Sequence, residues 1–367
     1  MIAAPEISAS TDWSVPGQLT LTDGTIAVLN LQAQIDGLES HGTFAEAATL
    51  IDLLILRGLI LGRISDYERA AELADRQVNA AIASATGYVV RARTRAVLHR
   101  FTEALDDLNR ADRISPQGAI AERERAAIFQ AIGHYHDALV TYEAPTTDRG
   151  EQFERTAALA GFWADRGKTE RAQHFYLDSL RSYRGVSPFP LALLDFQLGL
   201  MWLRQDRLSE ARTHFRSAVR RVPPYAAAQG HLAEVEAELG ETDAAIGRLI
   251  PLAMASDDPD YAAQLARILG EIGRGEESVV WRQIAASRYD ELTTAHPAAF
   301  ADHAAEFWLG VGNDPRKGLR FAEFNLRVRN TPRAYDLLAQ ALDANTTEAA
   351  SARCFGVHLP NRAEMQP

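Results

Sequence analysis

Apolar and small residues recur at three- and four-residue spacing along most of the chain, and short polar or glycine-containing turns interrupt them. This is the pattern of amphipathic α-helices rather than strands. It is clearest between Leu198 and Pro223, where Leu198, Gly199 and Trp202 mark one face of a helix. A polar turn around Asp206 follows, and then Ala211, Phe215 and Ala218 mark one face of a second. The turn is short, so the two helices lie antiparallel with these faces together. The small residues let the backbones approach, and Trp202 and Phe215 fill the space left over.

The same alternation recurs. A first unit from about Thr49 carries Gly58 and Leu61, then Ala70 and Ala74, with Ser65-Asp66-Tyr67 as its turn. A second carries Ala92, Ala104, Leu108 and Ala111, with Asp106-Asp107 on the outward face. Further units follow around Gly133, Gly167, Gly240, Gly273 and Gly312, and a last helix from Arg333 to Leu342 caps the array. Gly133 to Gly167 and Asp206 to Gly240 each span 34 residues, and Gly240 to Gly273 spans 33. The longer step from Gly167 to Asp206 places an insertion at Ser187-Pro188-Phe189-Pro190.

This order of small and large residues resembles the tetratricopeptide repeat, a helix–turn–helix unit of about 34 residues. The resemblance covers roughly 49–345 and is closest to solitary bacterial proteins of that type. It implies an all-α, right-handed α-solenoid of about eight helix pairs plus a C-terminal capping helix. The expected division is 1–44, partly irregular with room for a short capping helix over Thr25–Leu38; 45–345, the superhelix; and 346–367, a tail. In similar proteins the first helix of each pair lines an inner groove that takes a protein or peptide segment. On this register the groove candidates are Arg93, Arg123, Gln130, Phe196, Leu200, Glu234, Arg267 and Glu306. An exposed Arg or Glu also serves as an ordinary solvated face, and Phe196 and Leu200 also serve as core.

Charge adds a direction to that groove. Residues 86–125 hold eight arginines against six acids, whereas 225–277 hold eleven acids against three arginines. The expected groove is basic early, apolar in the middle and acidic late, suited to an extended partner of complementary charge. The net charge of −11 argues against a general nucleic-acid binder. Lys168 and Lys317 are the only lysines, and groove asparagines are absent. The Lys and Asn clamp by which one subgroup of the family holds acidic chaperone C-termini is therefore not present.

Chemistry is sparse. A single cysteine, Cys354, excludes an intramolecular disulfide framework. His134-Tyr135-His136 lacks the companions of a metal site, and Gly270, Gly273 and Gly275 do not follow a strand as a dinucleotide loop would. No P-loop, HExxH or nucleophile elbow occurs. No cofactor, metal or catalytic set is expected, and no run is long and apolar enough for membrane insertion. The start at Met1 lacks the features of a signal peptide, which favours the cytoplasm, or the periplasm if a leader was removed. The functional expectation is a non-enzymatic scaffold binding a protein or peptide in its groove. The alternatives are an accessory factor of envelope or secretion assembly and a regulatory module for a small ligand near Trp163, Phe196 and Trp202.

Overall fold

Each helix of this protein buries a stripe of Ala, Gly and Leu against its neighbour, and the helices come in antiparallel pairs. The computed structural model describes residues 21–43, 46–79, 84–116, 118–144 and 151–354. Among them are eighteen α-helices and no strand. The chain divides into two units, one of Met1–Ala27 and Tyr142–Pro223, the other of Val28–Thr141 and Pro224–Pro367.

In the first unit, α8 (Gln152–Asp165) pairs with α9 (Thr169–Ser182), and α10 (Phe189–Leu203) pairs with α11 (Leu208–Arg221). Its core is built from Ala160, Ala172, Tyr176, Leu180, Leu191, Leu194, Leu198 and Met201. Ala211, Phe215 and Ala218 are fully enclosed. Gly199 lets the Phe215 ring sit directly on the α10 backbone, where a methyl group would overlap the ring. Trp202 is half-buried rather than enclosed, with the Arg207 guanidinium 5.2 Å from its ring centre.

The second unit opens with α1 (Gly24–His41), most of which lies within it. The pairs α2 (Ala47–Leu61) with α3 (Ile64–Asn79) and α4 (Ala85–Val97) with α5 (Phe101–Ile114) follow, and then α6 (Ala119–Ala131) and, after the turn at Gly133, α7 (Tyr135–Glu143). After Pro223 come α12 (Ala226–Glu238) with α13 (Thr242–Ala255), α14 (Asp260–Glu271) with α15 (Gly275–Ala295), and α16 (Pro297–Leu309) with α17 (Pro315–Val328). The last element is α18 (Pro332–Cys354), which runs well beyond Leu342. The reading that Pro145 stops a helix, and readings of residues 1–20 and 355–367, fall outside the described residues.

One left-handed residue ends the first helix of every pair: Gly62, His99, Gly133, Gly167, Asp206, Gly240, Gly273 and Asn313. That conformation turns the chain back within a few residues and satisfies end carbonyls of the helix. The first turn is thus at Gly62-Arg63, and Ser65-Asp66-Tyr67 belong to α3. In the eighth pair the turn residue is Asn313, next to the glycine the pattern marks. His99 carries no glycine signal at all; an ordinary side chain pays about 1 kcal/mol there.

Within the second unit, the turns of the first three pairs meet the loops before α14, α16 and α18. Asp257 accepts from the backbone N–H groups of Ile64 (2.5 Å) and Ser65 (2.9 Å), capping α3 from a distant part of the chain. His296 Nε2 lies 2.9 Å from Glu68, and His99 Nδ1 donates to the Ala298 carbonyl at 3.0 Å. Gly133 stands so close to Asn330 that a methyl group would overlap the Asn330 carbonyl. Three successive turns and three successive loops thus dock in register.

The packing predicts a measurable asymmetry. Phe215→Ala should cost about 3–5 kcal/mol in urea unfolding, as for other fully enclosed aromatic side chains. Gly199→Ala should cost about 1–3 kcal/mol by overpacking, and the half-buried Trp202→Ala less than Phe215→Ala. Equal losses for both aromatic truncations would contradict the arrangement.

Candidate functional site

The first helices of consecutive pairs are joined side by side by charged side chains. In the second unit, Arg93 on α4 bridges Asp52 on α2 and Glu124 on α6, the latter at 2.8 Å. Further on, Arg267 on α14 reaches back to Glu238 on α12 at 3.5 Å and along its own helix to Glu271 at 3.0 Å. Arg333 on α18 pairs with Glu306 on α16 at 2.8 Å. His231 Nδ1 lies 2.7 Å from Glu234. The first unit repeats the device, with Arg204 on Asp165 at 2.8 Å. The bridges of Arg93, Arg204, Arg267 with Glu238, and Arg333 each tie one repeat to the next, whereas His231–Glu234 and Arg267–Glu271 lie within α12 and α14.

The eight groove candidates separate on this geometry. Glu234, Arg267 and Glu306 stand on α12, α14 and α16, and Arg333 on α18 joins them electrostatically. Burial works against the Glu234 carboxylate, but His231, Arg267 and Arg333 together hold it below its ordinary range. Arg93 is half-buried and shared between two carboxylates, and Arg123 and Gln130 are half-buried on α6. Phe196 is buried with its ring 5.9 Å from that of Phe215, and Leu200 is half-buried. Phe196 therefore belongs to the core of the first unit.

The arginine-rich stretch is largely neutralised by its own neighbours. Asp107, fully enclosed rather than outward-facing, accepts from Arg91 (2.7 and 2.8 Å) and from Arg95 (2.5 Å). Arg125 pairs with Asp112 at 2.6 Å and Arg100 with Glu103 at 2.5 Å. The count of arginines does not show this, because Asp107 reaches Arg91 and Arg95 from the facing second helix, Asp112 reaches Arg125 from the preceding repeat, and Asp52 and Glu124 reach Arg93 from neighbouring first helices. Arg333 carries no groove signal in the sequence for a different reason: it opens the capping helix, which lacks a partner pattern to mark its faces.

A second charged group lies where repeats two and three dock on the eighth. Burial opposes the Asp302 carboxylate, yet His303, Arg329, His99 and Arg333 outweigh it and hold its pKa at about 2. Arg329 pairs with Asp302 at 3.2 Å. Burial and the Arg329 charge push the His99 imidazole down to about 4, which keeps it neutral as a donor to Ala298. Nearby, burial and the Asp260 charge raise Asp258 to about 6. Among the described residues, no group of three His, Cys, Asp or Glu side chains gathers as metal ligands. No helix there is long and apolar enough to cross a membrane.

Stacked antiparallel helix pairs with a left-handed turn residue in each define an all-helical solenoid, the architecture of repeat-protein scaffolds. The family described as Tetratricopeptide repeat matches residues 203–268, from the end of α10 into α14, and the helix pairs described above have the fold of that repeat. Among solved structures, the fold is similar to the Cut9–Hcn1 hetero-tetramer of the APC/C, at 14% identity and a TM-score of 0.50. That match covers 85% of this chain and 59% of the other, so this chain spans less than two thirds of its length. It is also similar to the human IFIT1 dimer with m7Gppp-AAAA, at 16% identity and a TM-score of 0.54, covering 87% and 77%. Pseudomonas aeruginosa PilF aligns at 18% identity with a TM-score of 0.42, over 58% and 92%. No curated protein matches the chain.

Two outcomes follow from this electrostatic arrangement. Arg93→Met should lower stability by about 1 kcal/mol in urea unfolding, because the partly buried Glu124 and the exposed Asp52 lose their shared cation; Arg123→Met should change it less. His99 is neutral in the fold but takes a proton in the unfolded chain below its ordinary value of 6.5. Its contribution is therefore complete above about pH 6.5 and is lost as pH falls towards 4. His99→Asn, which tolerates the left-handed backbone, should remove this acid-dependent part of the wild-type stability curve. Parallel curves for the two proteins from pH 7.5 to 4 would contradict it.

Proposed function

We propose that this protein is a non-enzymatic interaction scaffold that holds an extended segment of a partner protein along the first-helix face of its second unit. The observation that carries this reading is the ladder Glu234, Arg267, Glu306 and Arg333. Acid and base alternate on four consecutive first helices, and each side chain keeps about a third or more of its surface exposed, from 34% for Arg267 to 56% for Arg333. Such a face offers charged hydrogen bonds at helix-to-helix spacing and suits a segment whose own charges alternate in the complementary order. The internal pairing of Arg91, Arg93, Arg95, Arg100 and Arg125 makes the early repeats less basic than their composition. That moves the proposed contact from Arg93 and Arg123 to the later ladder.

The human IFIT1 structure was solved with a capped oligonucleotide, which gives an RNA ligand as the competing outcome. The net charge of −11 counts against it, since phosphate binding rests on unpaired cations.

The test is affinity capture from the native cell extract with wild type and with the combined variant Glu234→Arg, Arg267→Glu, Glu306→Arg. A protein retained by wild type and lost by the variant, with unchanged helical content and melting temperature, is expected. Retention of the same protein by both would remove the ladder as the binding face. Binding of m7Gppp-AAAA by purified wild type and not by the variant would replace a protein ligand with RNA.

A further inference from the structure

The last helix presents a face built to receive another helix. On α16, Asp302, Ala305 and Leu309 face the second helix of their own pair. Asp302 pairs with Arg329 just after α17, Ala305 clusters with Ala322, and Leu309 packs where Gly318 lacks a side chain. Thirty-three residues on, Tyr335, Leu338 and Leu342 occupy the same places on α18. The opposite side of α18 is satisfied: Ala334, Leu337 and Ala341 are buried against the α16–α17 pair. Tyr335 and Leu342, however, are 55% and 48% exposed, and Leu338 is half-buried at the edge of the cluster. Among the described residues, no helix stands where α17 stands for α16. The uncovered stripe is therefore continuous with an existing helix-stacking interface, and it is apolar where the exposed end of a solenoid is ordinarily polar.

We propose that this face is covered by the same helix of a second copy of the chain, in a two-fold symmetric, antiparallel pairing of α18 with α18. The stripe is self-complementary under that operation. A two-fold axis between Leu338 and Ala339 sets Tyr335 of one copy on Leu342 of the other, and the small exposed Ala339 lets the helices approach at the centre. The same axis sets neither Asp336 nor Asp343 directly opposite an acid. Antiparallel pairing is also the orientation in which each earlier first helix meets its own second helix, so α18 of the second copy takes the place that a ninth second helix would fill.

The experiment is light scattering on the full chain after gel filtration, at loading concentrations from about 1 to 100 µM, the range in which transient interfaces dissociate. Wild type should approach twice the chain mass as concentration rises. Leu342→Glu and Tyr335→Glu, both at exposed positions, should remain at the chain mass with unchanged circular dichroism and melting temperature. Ala339→Cys in a Cys354→Ser background should form a disulfide between copies on mild oxidation, and adding Leu342→Glu should abolish it. A wild-type monomer across the whole range would overturn the proposal, as would a dimer indifferent to Leu342→Glu. A monomer that loses stability on Leu342→Glu would instead assign the stripe to a segment of the same chain, and this too would overturn it. None of these readouts depends on partner capture, so failure here and failure of the ladder reading are separable.

Discussion

The structure depends on two helix backbones approaching closely at one small residue in each pair. Where Phe215 lies on Gly199, the glycine removes the Cβ that would keep the ring away. Ala104, Ala126, Ala172, Ala211, Ala245 and Ala305 do similar work elsewhere, and each is fully enclosed. With little side-chain volume at the crossing, the large residues beside it must interdigitate, and the loss of one leaves a hole that neighbours fill poorly. A left-handed residue after each first helix then returns the chain quickly enough for the same two faces to meet. Proximity and return together produce a unit that cannot bury its apolar face alone, and stacking follows from that need.

Charge acts on a second level, between repeats rather than within them. The bridges of Asp52, Arg93 and Glu124, of Glu238 and Arg267, and of Glu306 and Arg333 cross from one first helix to the next. The exposed pairs among them contribute little stability each, and the half-buried Arg93–Glu124 bridge contributes more. Their geometric effect is larger, since they fix the rotation of one repeat on another. Asp107 is a different case: it is enclosed, and it is tolerable only because Arg91 and Arg95 both donate to it. In the second unit, docking of the early turns on the late loops adds a third level. There Asp257 caps α3 from a distant part of the unit, and a neutral His99 donates to the Ala298 carbonyl at the start of α16.

These levels give the proposed function its physical form. A rigid row of first helices can hold charged groups at fixed separations without paying to order them on binding, which is the advantage of a preorganised surface. The ladder in the second unit keeps its head groups partly in water while their stems are held by neighbours. The uncovered stripe on α18 is the opposite kind of surface, apolar and unbridged. The two faces thus differ in what they present, charged hydrogen-bonding groups on one and apolar side chains on the other.

The residue order by itself determined the helix pairs, their antiparallel sense, their number and most of the turn positions. These follow from local periodicity and from glycine at the left-handed position, both of which act over a few residues. His99 carries no local signal; the contact that accompanies its left-handed backbone runs from its imidazole to the Ala298 carbonyl, almost two hundred residues away. Glu234, Arg267 and Glu306 were legible as first-helix surface positions for the same local reason. Only the tertiary structure decided that Phe196 is core, that Asp107 is enclosed and that the arginines of the early repeats are already paired. It alone brought Arg333 to Glu306 and the early turns to the late loops. Side-chain burial and ion pairing are settled by which helices stack, and stacking joins residues that no local pattern in the chain connects.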